Sequence, residues 1–220
     1  MPLATDDRLR TTTDMNRSFR GLLWTLALVG GLLDLGSKYA VFRWLYQPSG
    51  EGSFEVVPGA FRLLAQFTDV PPSDDWRGPL QAFNGPVRPR VNHGALFGLG
   101  TEYQIYANSF FAVVSVAAAC AIAYWSTRPA TARDGPLCAA LGLILGGTAG
   151  NLFDRIVFNG VRDWMHFYWF EWPVFNFADC CLVCGAGLLL LQAFWAPAHR
   201  AKPTEAEAAA ELPAVAELKC

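Results

Sequence analysis

The sequence predicts an all-α membrane protein of four transmembrane helices, with a small β-rich extracytoplasmic cradle between the first two. Three observations carry this reading. Of 220 residues, 53% are hydrophobic and only 16% charged, and the mean hydropathy of +0.24 is too high for an ordinary soluble domain. Four apolar runs are long enough to cross the hydrocarbon, for which about 20 helical residues suffice. Between the first two runs lies a connection, 46–102, rich in Gly, Pro and Ser. Its 53–67 portion holds short apolar and aromatic runs broken at Pro58 and Gly59, the pattern of small strands.

Taken in order, residues 1–20 are polar and of mixed charge, with Arg8, Arg10, Arg17 and Arg20 set against Asp6, Asp7 and Asp14, and form an N-terminal tail. The first span, 21–45, is read as a retained helix rather than a cleaved leader. The region before it is long and partly acidic, no small-x-small cleavage site follows, and Asp34 and Lys38 interrupt its later part. These two stand four apart with the acid first, the favourable order for a helical ion pair. They are expected to form a buried structural pair that faces protein rather than lipid.

Within the connection, the 68–90 stretch reads as a flexible insertion in a compact extramembrane subdomain. It leads into Asn92, His93 and Gly94, where Gly94 permits a tight turn that brings backbone close to a bound group. A single loop histidine is weak evidence for chemistry, and His93 is read as incidental. The second span, 103–125, is free of charge. The loop 126–136 carries Arg128 and Arg133. The third span, 137–158, has Gly142, Gly146 and Gly150 at four-residue intervals, a small-residue ridge that lets helix backbones approach closely. The fourth, 174–195, is flanked by aromatic residues, as interfacial anchoring requires. Together 21–197 make one membrane domain, and 198–220 is a polar Ala/Glu-rich tail.

Several function classes drop out at this point. A net charge of -2 with scattered Lys and Arg provides no stripe for a nucleic acid. Cys120, Cys138, Cys180, Cys181 and Cys184 lie inside apolar segments, where thiols are common fillers, so neither a disulfide framework nor a metal site is expected. The N-terminal tail, the 126–136 loop and the C-terminal tail together outweigh the long connection in Lys and Arg. By the positive-inside rule both termini are expected in the cytoplasm.

The chemistry concentrates in 146–179, where acids, arginines and asparagines interrupt apolar sequence. Polar groups at membrane depth are costly and tend to be functional. Asn151, Asp154 and Arg155 fall at i, i+3 and i+4 on one helix face, and Asp154 beside Arg155 reads as an oriented ion pair. Asp163 lies just past the third helix and Asp179 in the first turn of the fourth, at one level with Asn92 and Gly94. Two roles are open for this pair. As a dyad, one carboxyl would keep a proton while the other acts as base, activating water against an amide. Alternatively, Asp163 is a loop acid and Asp179 complements the helix dipole. Spacing alone leaves both open.

Four motifs follow one another: Asn92-x-Gly94-Ala95-x-Phe97, Gly146-Gly147-x-x-Gly150-Asn151-x-x-Asp154-Arg155, Val161-x-Asp163 and Phe175-Asn176-x-Ala178-Asp179. With Asp34 and Lys38 they resemble the signatures of bacterial lipoprotein signal peptidase, or signal peptidase II, over about residues 20–196. The resemblance implies an aspartic endopeptidase of the bacterial inner membrane with its site at the outer face. It implies cleavage of diacylglyceryl-modified prolipoproteins just before the lipidated cysteine, without metal or other cofactor, and inhibition by the cyclic peptide globomycin. By motif, Asp163 and Asp179 match the catalytic pair. Asn92, Gly94, Asn151, Asp154, Arg155, Asn176, Ala178, Asp34 and Lys38 match residues that bind substrate or support the site. The partners so implied are prolipoproteins and membrane lipids, and a monomer is expected. Leu35, His93, Leu96, Trp164, the long 68–90 insertion and the C-terminal tail depart from the family pattern and bear on substrate range and inhibitor sensitivity. An alternative is a catalytically silent paralogue that binds lipoproteins or peptides. A proton-coupled carrier is disfavoured, since four helices show no internal repeat.

Overall fold

A computed structural model describes residues 17–48, 50–94, 101–170 and 172–195, with 101–105 as helix backbone only. The tails through 16 and from 196 onward lie outside the described residues, as do Ala95, Leu96 and Phe97 of the first motif. Among the described residues, four helices are long and apolar enough to cross a membrane. They are α1 (Arg20–Trp44), α3 (Thr101–Ser126), α5 (Gly135–Phe158) and α6 (Phe177–Trp195), within a few residues of the expected spans. Short helices α2 (Gly78–Gln81) and α4 (Pro129–Ala132) sit in the connections.

Local chemistry sets the helix ends. The Asp134 carboxylate accepts from Leu137 N at 2.9 Å, capping α5, and its other oxygen takes the Gln192 amide at 2.6 Å, tying the start of α5 to the end of α6. Asn159 ends α5 in the left-handed conformation, φ 58°, which asparagine tolerates better than most residues. The start of α1 is held by Arg20, which donates to the carbonyls of Ser126 and Thr127.

The glycine ridge packs α5 against α1. A β-carbon at Gly142 would stand 2.6 Å from the Leu23 carbonyl oxygen, and one at Gly146 2.9 Å from that of Ala27. At Gly150 it would run into the Asp34 carboxylate, so the ridge ends where the buried acid begins. Gly147, on another face of α5, lets the Ala178 carbonyl of α6 approach in the same way. Large apolar side chains such as Leu28, Phe110, Val113, Val183 and Phe194 point away from the bundle, as hydrocarbon contact requires.

Beyond the bundle end that carries Asp163 lies an antiparallel sheet of β1 (Glu51–Val57), β2 (Phe61–Thr68), β3 (Arg88–Pro89) and β4 (Met165–Phe167). The break at Pro58 and Gly59 is the β1–β2 turn, with Val57 opposite Phe61. Along its other edge β2 pairs with β3 through Phe67 and Thr68, and with β4 through Phe61 to Leu63. The sheet therefore does not belong to the 46–102 connection alone, because β4 comes from the loop between α5 and α6. Val41 and Phe42 of α1, with Leu45 just past its end, pack with Ala65 and Phe67 of β2 beneath it.

The 68–90 stretch, expected to be flexible, is folded onto the bundle. Gln81 is buried; its amide donates to the Val157 carbonyl and its oxygen accepts from the backbone and hydroxyl of Ser73. Phe83 packs with Tyr39, Phe42, Phe67 and Phe158. A glutamine and a phenylalanine that dock on distant helices override the local Pro/Gly signal.

Candidate active site

Two groups of carboxylates meet where α1, α5 and α6 converge. In the first, Asp34, Lys38, Asp154 and Arg162 are all 0% exposed. Lys38 Nζ lies 2.7 Å from Asp34 Oδ2 and 3.4 Å from Asp154 Oδ2, and donates to Asn151 Oδ1 at 3.0 Å. Asp34 also accepts from the Ala178 backbone N–H at 2.9 Å, which fixes α6 on α1. The expected pairing of Asp34 with Lys38 is present.

The expected pairing of Asp154 with Arg155 is not. Asp154 is held by Arg162 through both carboxylate oxygens, the shortest contact being 2.7 Å, and also accepts from the Arg162 backbone N–H at 2.9 Å. Adjacent residues on a helix do not face each other, so Arg155 points elsewhere. It donates to Asn108 at 3.3 Å and lies over the Phe111 ring. The Arg162 guanidinium stacks on Tyr39 and Phe158, with ring centres 4.2 and 4.0 Å away. Arg162 and Asn108 are the polar residues that sequence reasoning did not place. The signal for Arg162 was a charge between Val161 and Asp163 that an apolar neighbourhood had to pair.

The second group is Asp163 and Asp179, both half-buried. Each carboxylate oxygen accepts one hydrogen bond. Asp163 Oδ1 takes the Asn176 amide at 2.7 Å and Oδ2 the Asn92 amide at 3.1 Å. Asp179 Oδ1 takes the Asn151 amide at 3.0 Å and Oδ2 the Asn176 backbone N–H at 3.1 Å. Asn176 is fully buried and serves both acids, with its side-chain oxygen accepting from Asp179 N. Among the described residues neither carboxylate forms an ion pair. Burial, and next the Asp179 carboxylate, push the Asp163 pKa up to about 7, against the amide donations of Asn92 and Asn176.

Loop backbone places these side chains. Asn92 and Val161 exchange two backbone hydrogen bonds at 2.7 and 2.8 Å, and Trp164 O accepts from Leu64 of β2. Gly94 has φ 84° and donates to Asn92 Oδ1, while a β-carbon there would meet the Phe111 ring at 2.6 Å. A turn of that shape in that space requires glycine. All eleven sequence-selected residues thus fall in or beside the two groups. Among the described residues no three His, Cys, Asp or Glu side chains gather as a metal site.

Asp179 also lines an apolar groove of about 470 Å³, walled by Phe167, Phe170, Trp172, Phe175 and Val183.

Two aspartates held by asparagine amides stand at the end of four membrane-length helices, and the comparisons supply the class, a membrane aspartic peptidase. Residues 83–195 match the family described as Signal peptidase (SPase) II. The "Lipoprotein signal peptidase" of Rhodopirellula baltica is 36% identical over 79% of this chain and 71% of its own length. That of Photorhabdus laumondii is 38% identical over 80% of this chain and 90% of its own. Two solved bacterial membrane enzymes share the fold at TM-scores of 0.62 and 0.60. They are 20% and 21% identical, and cover 86% and 82% of this chain and 96% and 97% of their own. The chain belongs to the signal peptidase II family.

Proposed function

We propose that this protein is a membrane-embedded aspartic endopeptidase that removes signal peptides from diacylglyceryl-modified prolipoproteins, cutting before the lipidated cysteine. The observation that carries the reading is the half-buried Asp163 and Asp179 pair, joined through Asn176 and in no ion pair among the described residues, with Asp179 lining an apolar groove. Near neutral pH Asp163 holds the pair's proton and Asp179 is the base.

Asp179 takes a proton from water as its oxygen bonds to the scissile carbonyl carbon, while Asp163 gives its proton to the carbonyl oxygen. In the collapse, Asp179 delivers its proton to the leaving nitrogen as the C–N bond breaks, and a hydroxyl of the gem-diol returns a proton to Asp163. The enzyme ends as it began. The asparagine amides fix both carboxylates and require no rearrangement between the steps. The aromatic groove receives the apolar signal segment, delivered by lateral diffusion of a lipid-anchored substrate.

The charge bias of the tails and the 126–136 loop supports termini in the cytoplasm of the inner membrane and a site at the outer face. A monomer suffices, since one chain carries both acids, and globomycin is expected to inhibit. The decisive experiment incubates purified protein with a diacylglyceryl prolipoprotein beside Asp163→Asn and Asp179→Asn. Cleavage before the lipidated cysteine by the parent, absent in both variants, is the expected result. Binding without turnover by a folded parent would replace this reading with a silent binding paralogue.

A further inference from the structure

A second pocket on the Asp163 end of the bundle gathers positive charge that no carboxylate among the described lining residues balances. It measures about 360 Å³ and is lined by Arg88, Arg90 and His93 over Phe158 and Asn159. Other arginines on this end are engaged: Arg43 with Asn84, Arg62 with His166, Arg77 with Asp75, and Arg155 and Arg162 as described. Among the described residues the Arg88 and Arg90 guanidiniums take part in none of the ion pairs.

Both nevertheless stand on ordered backbone. Arg88 N donates to Val70 O at 3.1 Å, Arg88 O accepts from the Thr68 hydroxyl at 3.3 Å, and Arg90 N donates to Gln66 O at 2.8 Å. His93 Nδ1 lies 2.6 Å from the Asn159 carbonyl oxygen, which can only accept, so Nδ1 carries the hydrogen and Nε2 remains for another partner. Asn159 is the cap of α5, so the pocket stands at the end of a membrane span, at the depth of lipid head groups.

Two planar guanidinium forks and an imidazole match the oxygens of a phosphate group. At that depth the abundant phosphates are those of lipids, and cationic side chains there are attracted to anionic leaflets. We propose that this pocket binds the phosphodiester of an anionic membrane phospholipid. Bound lipid would clamp the 88–93 segment, within which Asn92 donates to Asp163. The binding itself stands apart from the peptidase reading.

The test reconstitutes the full-length protein in nanodiscs of phosphatidylcholine with a minor share of phosphatidylglycerol and counts retained lipid by native mass spectrometry. Parent, Arg88→Gln with Arg90→Gln, and a control with Arg128→Gln and Arg133→Gln are compared. The parent is expected to retain phosphatidylglycerol selectively, the pocket variant to lose it by about fivefold per arginine, and the control to keep it. Arg88→Lys with Arg90→Lys, which keeps the charge, is expected to hold more lipid than the glutamine variant. A parent without preference, or a pocket variant that retains lipid as the parent does, overturns the proposal. Inorganic phosphate titrated against the loaded parent separates the two sources: failure to displace the lipid supports the lipid site, and displacement at equal concentration overturns it in favour of a free-phosphate site.

Discussion

The two carboxylate groups lie side by side, yet they are solvated by opposite means. Asp34 and Asp154 are fully buried and answered by Lys38 and Arg162, so that four charges cancel. Asp163 and Asp179 are half-buried and answered by asparagine amides and backbone, so their charges do not cancel. A cation beside a carboxylate holds it ionised and leaves it little to do in proton transfer; an amide holds its position and leaves its proton free to move. Structural acids and proposed catalytic acids are thus told apart by partner type more than by depth.

The largest test of this contrast is Asp163→Asn. Loss of one member of the pair is expected to lower kcat by about 10⁴-fold. Its unfolding temperature in detergent should equal or exceed that of the parent, because the carboxylate form of Asp163 is unfavourable in the fold. A large loss of stability would erase the distinction.

Asp154→Asn should behave in the opposite sense. It leaves Arg162 buried without its counter-charge and is expected to cost about 3–5 kcal/mol of stability, read by thermal unfolding. Gly150→Ala probes the same buried group from the helix ridge. Its new methyl meets the Asp34 carboxylate, and about 1–3 kcal/mol of destabilisation is expected from the forced shift.

The smallest effect is the finest test. Asp163 must hold a proton, so kcat/KM is expected to fall as pH rises through about 7. The same sign holds for folding. With its folded pKa raised above 3.8, Asp163 favours the fold most at low pH, and that contribution is lost as pH rises toward about 7. Asn92→Ala removes a hydrogen bond that favours the carboxylate, so the alkaline limb should move up by about one pH unit. A downward move would mean that Asn92 serves the neutral acid instead.

Much of this contrast was legible in the sequence, for reasons that differ by residue. Asp34 and Lys38 announce their pairing because four residues make one helical turn. The spans were readable because length and apolarity suffice to define them. Asn151 fell on one helix face with Asp154 by periodicity, whereas Asn92 and Asn176 emerged only from ordered motifs. Asp154 was assigned to its neighbour Arg155 because its true partner, Arg162, lies eight residues on, across the left-handed turn at Asn159. The three-residue β4 could not be foreseen, since it exists only because β2 offers an edge. The docking of 68–90 depends on Gln81 reaching the Val157 carbonyl, a contact that no local pattern encodes.

The attachment of β2 to the segment carrying Asp163 has a consequence for inheritance. Leu64 N–H meets Trp164 O, and Phe61, Arg62 and Leu63 lie in register with Phe167, His166 and Met165. These links run through peptide groups, which every residue but proline possesses in full, so they impose register while leaving side chains almost unconstrained. The hairpin can therefore drift in sequence, or be exchanged whole between relatives, and still hold an aspartate steady.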